Sequence, residues 1–400
     1  MQSRFRFGVG FQIFFMQYSS LHSFLHDRLT GRLDNVTSVC GDVMFTSLPF
    51  VSDDSISGFA DNSKDEDSDL ILSDGLNANR NFVYHIFYPN ASSVSDECII
   101  LLHGLNERSW DKYLPWGYEL SRLTGKTVIL FPISYHINRS PLAWSNPRLM
   151  RQYVVARQKR LPGTEALSIA NVALSERLDQ HPERFVFSGY QAASDLIKLT
   201  TAIQSGQHPL FAKDTKVDFF GYSIGGFLSQ ILMLSEAGGI LSQSKFFLFC
   251  SGSAFQGMNG ISRYIMDSVS YNKLYNFYLS DAGKDSATNL SFDYVLHDTS
   301  FGAAFMKMMR FRSSASASLF ANFRNRMKVV SLRSDVVIPT GSINKTLPAG
   351  MCEELHFDYS YSHENPFPLY SINSSNLMEK VNESFQVIFG KAAAFLMVPC

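Results

Sequence analysis

Gly221-Tyr222-Ser223-Ile224-Gly225 follows the apolar run Val217-Asp218-Phe219-Phe220 and leads into Gly226-Phe227-Leu228-Ser229-Gln230-Ile231-Leu232-Met233-Leu234. The first run reads as a buried strand, and the second has the apolar spacing of a helix. Strand, sharp turn and helix together make the setting of a G-x-S-x-G elbow. There the serine is held in a strained conformation, and small flanking residues avoid backbone clashes. Outside that setting the pentapeptide is weak, because a Gly-Ser turn is ordinarily just a turn. The context is what makes Ser223 a candidate nucleophile.

Upstream, Cys98-Ile99-Ile100-Leu101-Leu102 reads as a short strand that ends in His103-Gly104-Leu105-Asn106-Glu107-Arg108. A His-Gly loop leaving a central strand can aim one backbone N–H at a developing oxyanion, and the residue after the nucleophile supplies a second. Leu105 and Ile224 are the expected donors. His103 supports its loop rather than touching substrate, and Gly104, Gly221, Tyr222 and Gly225 shape the loop and the elbow. Downstream, the strand Met327 to Leu332 is followed by Arg333-Ser334-Asp335-Val336-Val337-Ile338-Pro339, and His363 lies in a loop after a last short strand. A serine hydroxyl is a poor nucleophile until an imidazole takes its proton, and a carboxylate at the other ring nitrogen fixes the tautomer. We therefore expect Ser223 as nucleophile, His363 as base and Asp335 as orienting acid. Asp358 and Glu364 rival Asp335 because they lie nearer His363 in sequence. His356 and His297 rival His363, although one falls within the terminal strand and the other precedes the expected acid.

The order Ser, Asp, His along the chain is that of the α/β-hydrolase fold. The chain resembles an uncharacterised bacterial family of that superfamily. The resemblance is carried by residues 101–116, Ile129-Leu130-Phe131-Pro132-Ile133, Asn138-Arg139-Ser140-Pro141, Tyr222-Ser223-Ile224-Gly225, residues 253–260 and Ser362-His363-Glu364-Asn365-Pro366-Phe367-Pro368, and it runs from about residue 17 onward. It implies an α/β fold with a mostly parallel, doubly wound sheet, and it implies the same three site residues. It supplies no substrate.

Four hundred residues suit one hydrolase domain over 16–400 with insertions, and a net charge of −1 leaves no basic footprint for nucleic acid. Strands alternate with helices as a doubly wound sheet requires. Two stretches exceed that plan, at about 138–184 and 253–325, and both fall where such folds carry helical lids that set substrate choice. Five scattered cysteines show no zinc spacing and no disulfide framework, which favours a reducing, cytoplasmic setting. No metal or organic cofactor is implied. The acidic run 61–69 lacks the fixed spacing of a calcium loop and reads as a solvated surface.

Residues 1–15 imitate a signal peptide, but their apolar run is short, broken by Gln12, and followed by no small-residue cleavage site. We expect them to be a non-native or disordered extension, with export as the alternative if they are cleaved. No stretch has the length of a membrane span. Near the expected cleft, Arg108 and Arg139 could grip an anionic substrate group or serve internal ion pairs. Asn106 and Trp110 are further candidates for substrate contact, with core packing as the alternative for the tryptophan. The 34 phenylalanines exceed ordinary core needs, and either extra packing or an apolar pocket would use them. The expected activity is cleavage of a carboxylic ester or related small acyl compound. Acyl transfer by the same residues and a non-catalytic binding protein on the same scaffold are the alternatives, and the sequence does not fix the oligomeric state.

Overall fold

The computed structural model describes residues 16–29, 37–40, 43–53, 75–90, 94–235, 239–279, 290–311, 319–370 and 374–398. The N-terminal stretch 1–15, the acidic run 61–69 and a serine-alanine run at 313–318 lie outside them. The strands are β1 (Thr37–Cys40), β2 (Val43–Val51), β3 (Asn81–Pro89), β4 (Ser95–Leu102), β5 (Thr127–Leu130), β6 (Phe211–Tyr222), β7 (Phe246–Phe249), β8 (Met327–Leu332) and β9 (Cys352–Leu355). They form one sheet in the order β1-β2-β3-β5-β4-β6-β7-β8-β9. From β5 across to β9 every pairing is parallel, whereas β1, β2 and β3 join antiparallel at one edge.

This order places the crevice. The chain steps from β4 outward to β5, then crosses back over β4 to β6, so the direction of winding reverses there. Ligands of open α/β sheets bind at such a reversal, beyond the carboxyl ends of the strands. Leu102 at the end of β4 pairs with Gly221 near the end of β6, which sets the His103 loop beside the elbow.

Side chains alternate between the two faces of a strand, and the core divides accordingly. Cys98, Ile100, Leu102, Phe219, Phe246 and Leu248 enter one apolar cluster, while Ile99, Leu101, Phe220, Phe247 and Phe249 enter the other. The helices Arg184–Gln204 and Ile224–Ser235 cover the first face with Leu196, Leu199, Phe227 and Ile231. The helices Leu114–Thr124 and Ser375–Met397 cover the second with Trp116, Leu120, Phe385 and Phe389. Many phenylalanines stack across neighbouring strands, Phe219 on Phe246 at 5.0 Å and Phe220 on Phe247 at 5.3 Å between ring centres. Such pairs add about 0.5–1.5 kcal/mol beyond their burial. The architecture is that of the α/β-hydrolase fold.

The two supernumerary stretches are largely helical. The first contains Pro147–Arg160 and Val172–Gln180, and the second contains Ser268–Leu279, Leu290–His297 and Ser300–Met309. A buried ion pair ties them together. Arg157 grips Asp267 with Nε and Nη2 at 2.6 and 3.1 Å, reaches Asp179 at 3.0 Å and donates to Ser270 Oγ at 2.9 Å. Both partners of that central pair are fully buried.

Candidate active site

Ser223 stands at the tip of the elbow with φ of 54°, a conformation that non-glycine residues seldom adopt and that costs about 1–3 kcal/mol. The surrounding backbone holds it there. Ser223 N–H donates to Phe249 O at 3.2 Å, Ser251 Oγ donates to Ser223 O at 2.8 Å, and Gly225 N–H donates to His103 O at 3.1 Å. The flanking glycines are required by space. A Cβ on Gly221 would lie 2.6 Å from the Gly226 Cα, and one on Gly225 would lie 2.5 Å from the Leu102 carbonyl oxygen.

The structure brings Ser223, His363 and Asp335 into one buried line of hydrogen bonds. Ser223 Oγ lies 2.7 Å from His363 Nε2, and His363 Nδ1 lies 2.7 Å from Asp335 Oδ2. The other carboxylate oxygen, Asp335 Oδ1, accepts from the backbone N–H groups of Val337 and Ile338, each at 2.9 Å. Tyr222 holds the histidine from beneath: its ring stacks on the imidazole at 5.7 Å, and its hydroxyl donates to the His363 carbonyl. The rivals have other partners. Glu364 accepts from Ser262 and exposed Asp358 faces His356, while His297 is exposed on its helix.

The loop after β4 is fixed from several sides. His103 is fully buried; its Nδ1–H donates to Gly104 O at 2.8 Å, and its Nε2 accepts from Ile133 N–H at 2.9 Å. Burial and nearby cations hold its pKa well below the usual histidine value, so the ring stays neutral in this bracing role. Gly104 N–H donates to the Tyr113 hydroxyl at 2.9 Å, which in turn donates to Glu107, and Glu107 pairs with Lys112. Among the described residues no protein acceptor takes the N–H of Leu105 or of Ile224. A cavity of about 60 Å³ is lined by both residues.

Three of the expected substrate contacts are engaged elsewhere. Arg139 is fully buried behind the site, with Nη2 on Asp195 at 2.8 Å, Nη1 on Pro132 O at 3.1 Å and its plane over Phe82. It is an internal ion pair, and its partner lies on the helix Arg184–Gln204 rather than in the insertions. Trp110 packs edge-on against His103 and His85 in the core. Asn106, with φ of 63°, spends both amide hydrogens on backbone carbonyls, Ala170 at 2.9 Å and Tyr264 at 2.6 Å. It thus joins the loop to both insertions. Arg108 donates to Asn106 Oδ1 at 2.5 Å and lies over Trp144, and burial lowers its pKa to about 10. Sequence reasoning missed Arg177, a buried arginine that lines the cavity, because nothing in its helix marks it. Among the described residues no cluster of His, Cys, Asp or Glu could hold a metal ion, and no helix is long and apolar enough to cross a membrane.

Fold and site together define an α/β-hydrolase scaffold that carries a hydrogen-bonded Ser–His–Asp set at a strand–turn–helix elbow. The chain belongs to the Family of unknown function (DUF6051), which matches residues 36–397. No curated protein matches it. Solved structures of similar fold include an esterase from the archaeon Pyrobaculum calidifontis, with 10% identity, a TM-score of 0.42 and coverage of 94% of this chain and 89% of that one. Carboxyl esterase 2 from the mycorrhizal fungus Tuber melanosporum shows 11% identity, a TM-score of 0.41 and coverage of 94% and 97%. The esterase Est22 shows 10% identity, a TM-score of 0.46 and coverage of 94% and 86%. Likenesses this distant add nothing about chemistry, which rests on the side chains of this chain.

Proposed function

We propose that this protein is a serine hydrolase that cleaves a carboxylic ester or related acyl compound through an acyl-enzyme. The observation that carries the reading is the unbroken run from Ser223 Oγ through His363 to Asp335, at 2.7 Å in each step, with the serine held at a positive φ. A binding protein gains nothing from a strained serine aligned on an imidazole.

In this reading Ser223 attacks the acyl carbon as its proton passes to His363 Nε2. Asp335 keeps the His363 proton on Nδ1 and stabilises the imidazolium. The carbonyl oxygen, now negative, is held by the N–H groups of Leu105 and Ile224, and one such donor is worth about 2.7–4 kcal/mol. His363 then gives its proton to the leaving oxygen, and water, activated by the same imidazole, releases the acid and restores Ser223. The insertions line the neighbouring cavity with Leu174, Leu178, Phe301 and Phe305, and in this reading the low polarity there strengthens each of these interactions.

The test is labelling with a fluorophosphonate probe, wild type beside Ser223→Ala, with mass spectrometry of the modified peptide. Modification of Ser223 that the variant loses is the expected result. A folded wild-type protein that takes no label, and that hydrolyses no ester in a panel of chain lengths, would overturn the reading.

A further inference from the structure

The cavity beside the proposed oxyanion donors is lined by a cation, Arg177, that has no counter-ion among the described residues. Arg177, on the helix Val172–Gln180, is 6% exposed, and its guanidinium carbon lies 3.7 Å from the centre of the Tyr135 ring. Among the described residues no carboxylate, carbonyl or hydroxyl accepts from its side chain. Two other deeply buried arginines have carboxylates, Arg139 with Asp195 and Arg157 with Asp267, Asp179 and Glu176, while Arg184, 3% exposed, lines the same cavity as Arg177. An arginine that meets no carboxylate among the described residues, beside the mostly apolar wall of this cavity, invites an anion from outside. A further guanidinium lies outside the cavity lining. Arg108 lies over Trp144, whose ring stacks on Tyr135, and its Nε and Nη1 have no partner. His136 lines the cavity between them; its Nδ1–H is spent on Ser134 O and its Nε2 has no partner.

The cavity also has a side and a size. It is lined by Leu105 and Ile224, the residues of the proposed oxyanion donors, and by neither Ser223 nor His363. The leaving oxygen must approach His363 Nε2 to be protonated, and a cavity away from that nitrogen but next to the proposed oxyanion donors suits the acyl half, whose chain would reach it past Leu105 and Ile224. Its volume is about 60 Å³, and a water-sized group needs about 10–15 Å³ of such space, so it holds on the order of four to six non-hydrogen atoms. Two methylenes and a carboxylate fill that count. Leu174, Phe227, Phe301 and Phe305 supply the apolar wall that the methylenes require.

Resting on the hydrolase reading above, we propose that this cavity is the acyl subsite and that the substrate is a monoester of a small dicarboxylic acid, its free carboxylate held by Arg177. The reaction balances as a hydrolysis. The bond from the acyl carbon to Ser223 Oγ forms as the bond to the alkoxy oxygen breaks, and the alcohol leaves with the proton carried by His363. Water then cleaves the acyl-enzyme, giving the dicarboxylate and a proton.

Two measurements decide it. The first is ethanol release from monoethyl succinate against ethyl 4-methylpentanoate, its uncharged isostere, read as the ratio of kcat/KM within each protein. A hydrogen-bonded charge pair gives a wild-type ratio on the order of ten- to a hundredfold in favour of the anion. Arg177→Met brings that ratio near one, and Arg177→Lys keeps part of it. A wild-type ratio near one, or a ratio that Arg177→Met leaves intact, overturns the proposal. So does a better rate on acetoxyacetate, whose charge lies in the alcohol half. The second is calorimetric binding of monoethyl succinate to Ser223→Ala, with and without Arg177→Met. It needs no turnover, so it separates the two failures: binding that depends on Arg177 upholds the subsite even if Ser223 takes no label, and absence of binding sinks the subsite even if Ser223 does.

Discussion

Replacing Asp335 by asparagine should disable the site through the proton position on His363, while the fold stays intact. Asp335 Oδ1 sits before two backbone donors, Val337 and Ile338 N–H, and Oδ2 sits before His363 Nδ1. An asparagine has one acceptor and one donor end. Its amide nitrogen cannot face two N–H groups, so its oxygen takes the Oδ1 place and its NH2 turns toward His363. The imidazole must then present a lone pair at Nδ1 and carry its proton on Nε2. That nitrogen is the one 2.7 Å from Ser223 Oγ, and it can no longer accept the serine proton. The same replacement in another Ser–His–Asp site lowers kcat about 10⁴-fold, and we expect a similar loss here, about 5–6 kcal/mol of barrier. Initial rates on 4-nitrophenyl acetate and the rate of fluorophosphonate labelling would measure it, with the thermal midpoint as the control for folding. A loss smaller than roughly tenfold at an unchanged midpoint would refute the reasoning, because the tautomer argument allows no such leniency.

Three further outcomes are expected. Gly225→Ala puts a methyl 2.5 Å from the Leu102 carbonyl and pushes the elbow off its loop; a displacement near 1 Å should cost about 10²-fold in labelling rate, seen by time-resolved mass spectrometry. Arg157→Met leaves Asp267 buried without its partner at a cost of about 3–5 kcal/mol, which for a chain of this length lowers the midpoint by about 4–6 °C; the double variant with Asp267→Leu should recover part of that in calorimetry. His85, His136 and His208 are held neutral by burial, with pKa values lowered to about 4, 3 and 4. The unfolded chain therefore takes up protons first, so their contribution to stability is intact above about pH 6.5 and is lost as pH falls toward 4, which denaturant titration across that window should show.

How much of this was readable in advance depends on whether the signal is local. Strands buried on both faces give continuous apolar runs, and β4, β7 and β8 stand where residues 98–102, 246–250 and 327–332 announce them. β6 begins earlier than its apolar run: Phe211 pairs with Ser95, and regular pairing resumes at Lys216 after an irregularity that contains Asp214 at φ 66°. Short, polar β1 has no such pattern, and the helix Leu114–Thr124 is disguised by Pro115, Trp116 and Gly117 in its first turns. The elbow and the His-Gly loop were legible because each function needs particular residues in immediate succession. The uses of Arg139 and Asn106 were not, since their partners lie 56, 64 and 158 residues away and leave no trace beside them. Arg177 shows the same limit from the other side: only the fold reveals that no carboxylate among the described residues meets it.

The carboxamide of Asn106 works as an interlock. One small group binds a carbonyl from each of the two insertions, and the residue just before it is Leu105, whose N–H is the proposed oxyanion donor. Neither insertion can lift away without releasing the hinge pin of that loop. If the proposed oxyanion donor is Leu105, a substrate that entered by displacing either insertion would loosen that donor's loop in the same step, so entry and readiness for chemistry would draw on the same two hydrogen bonds.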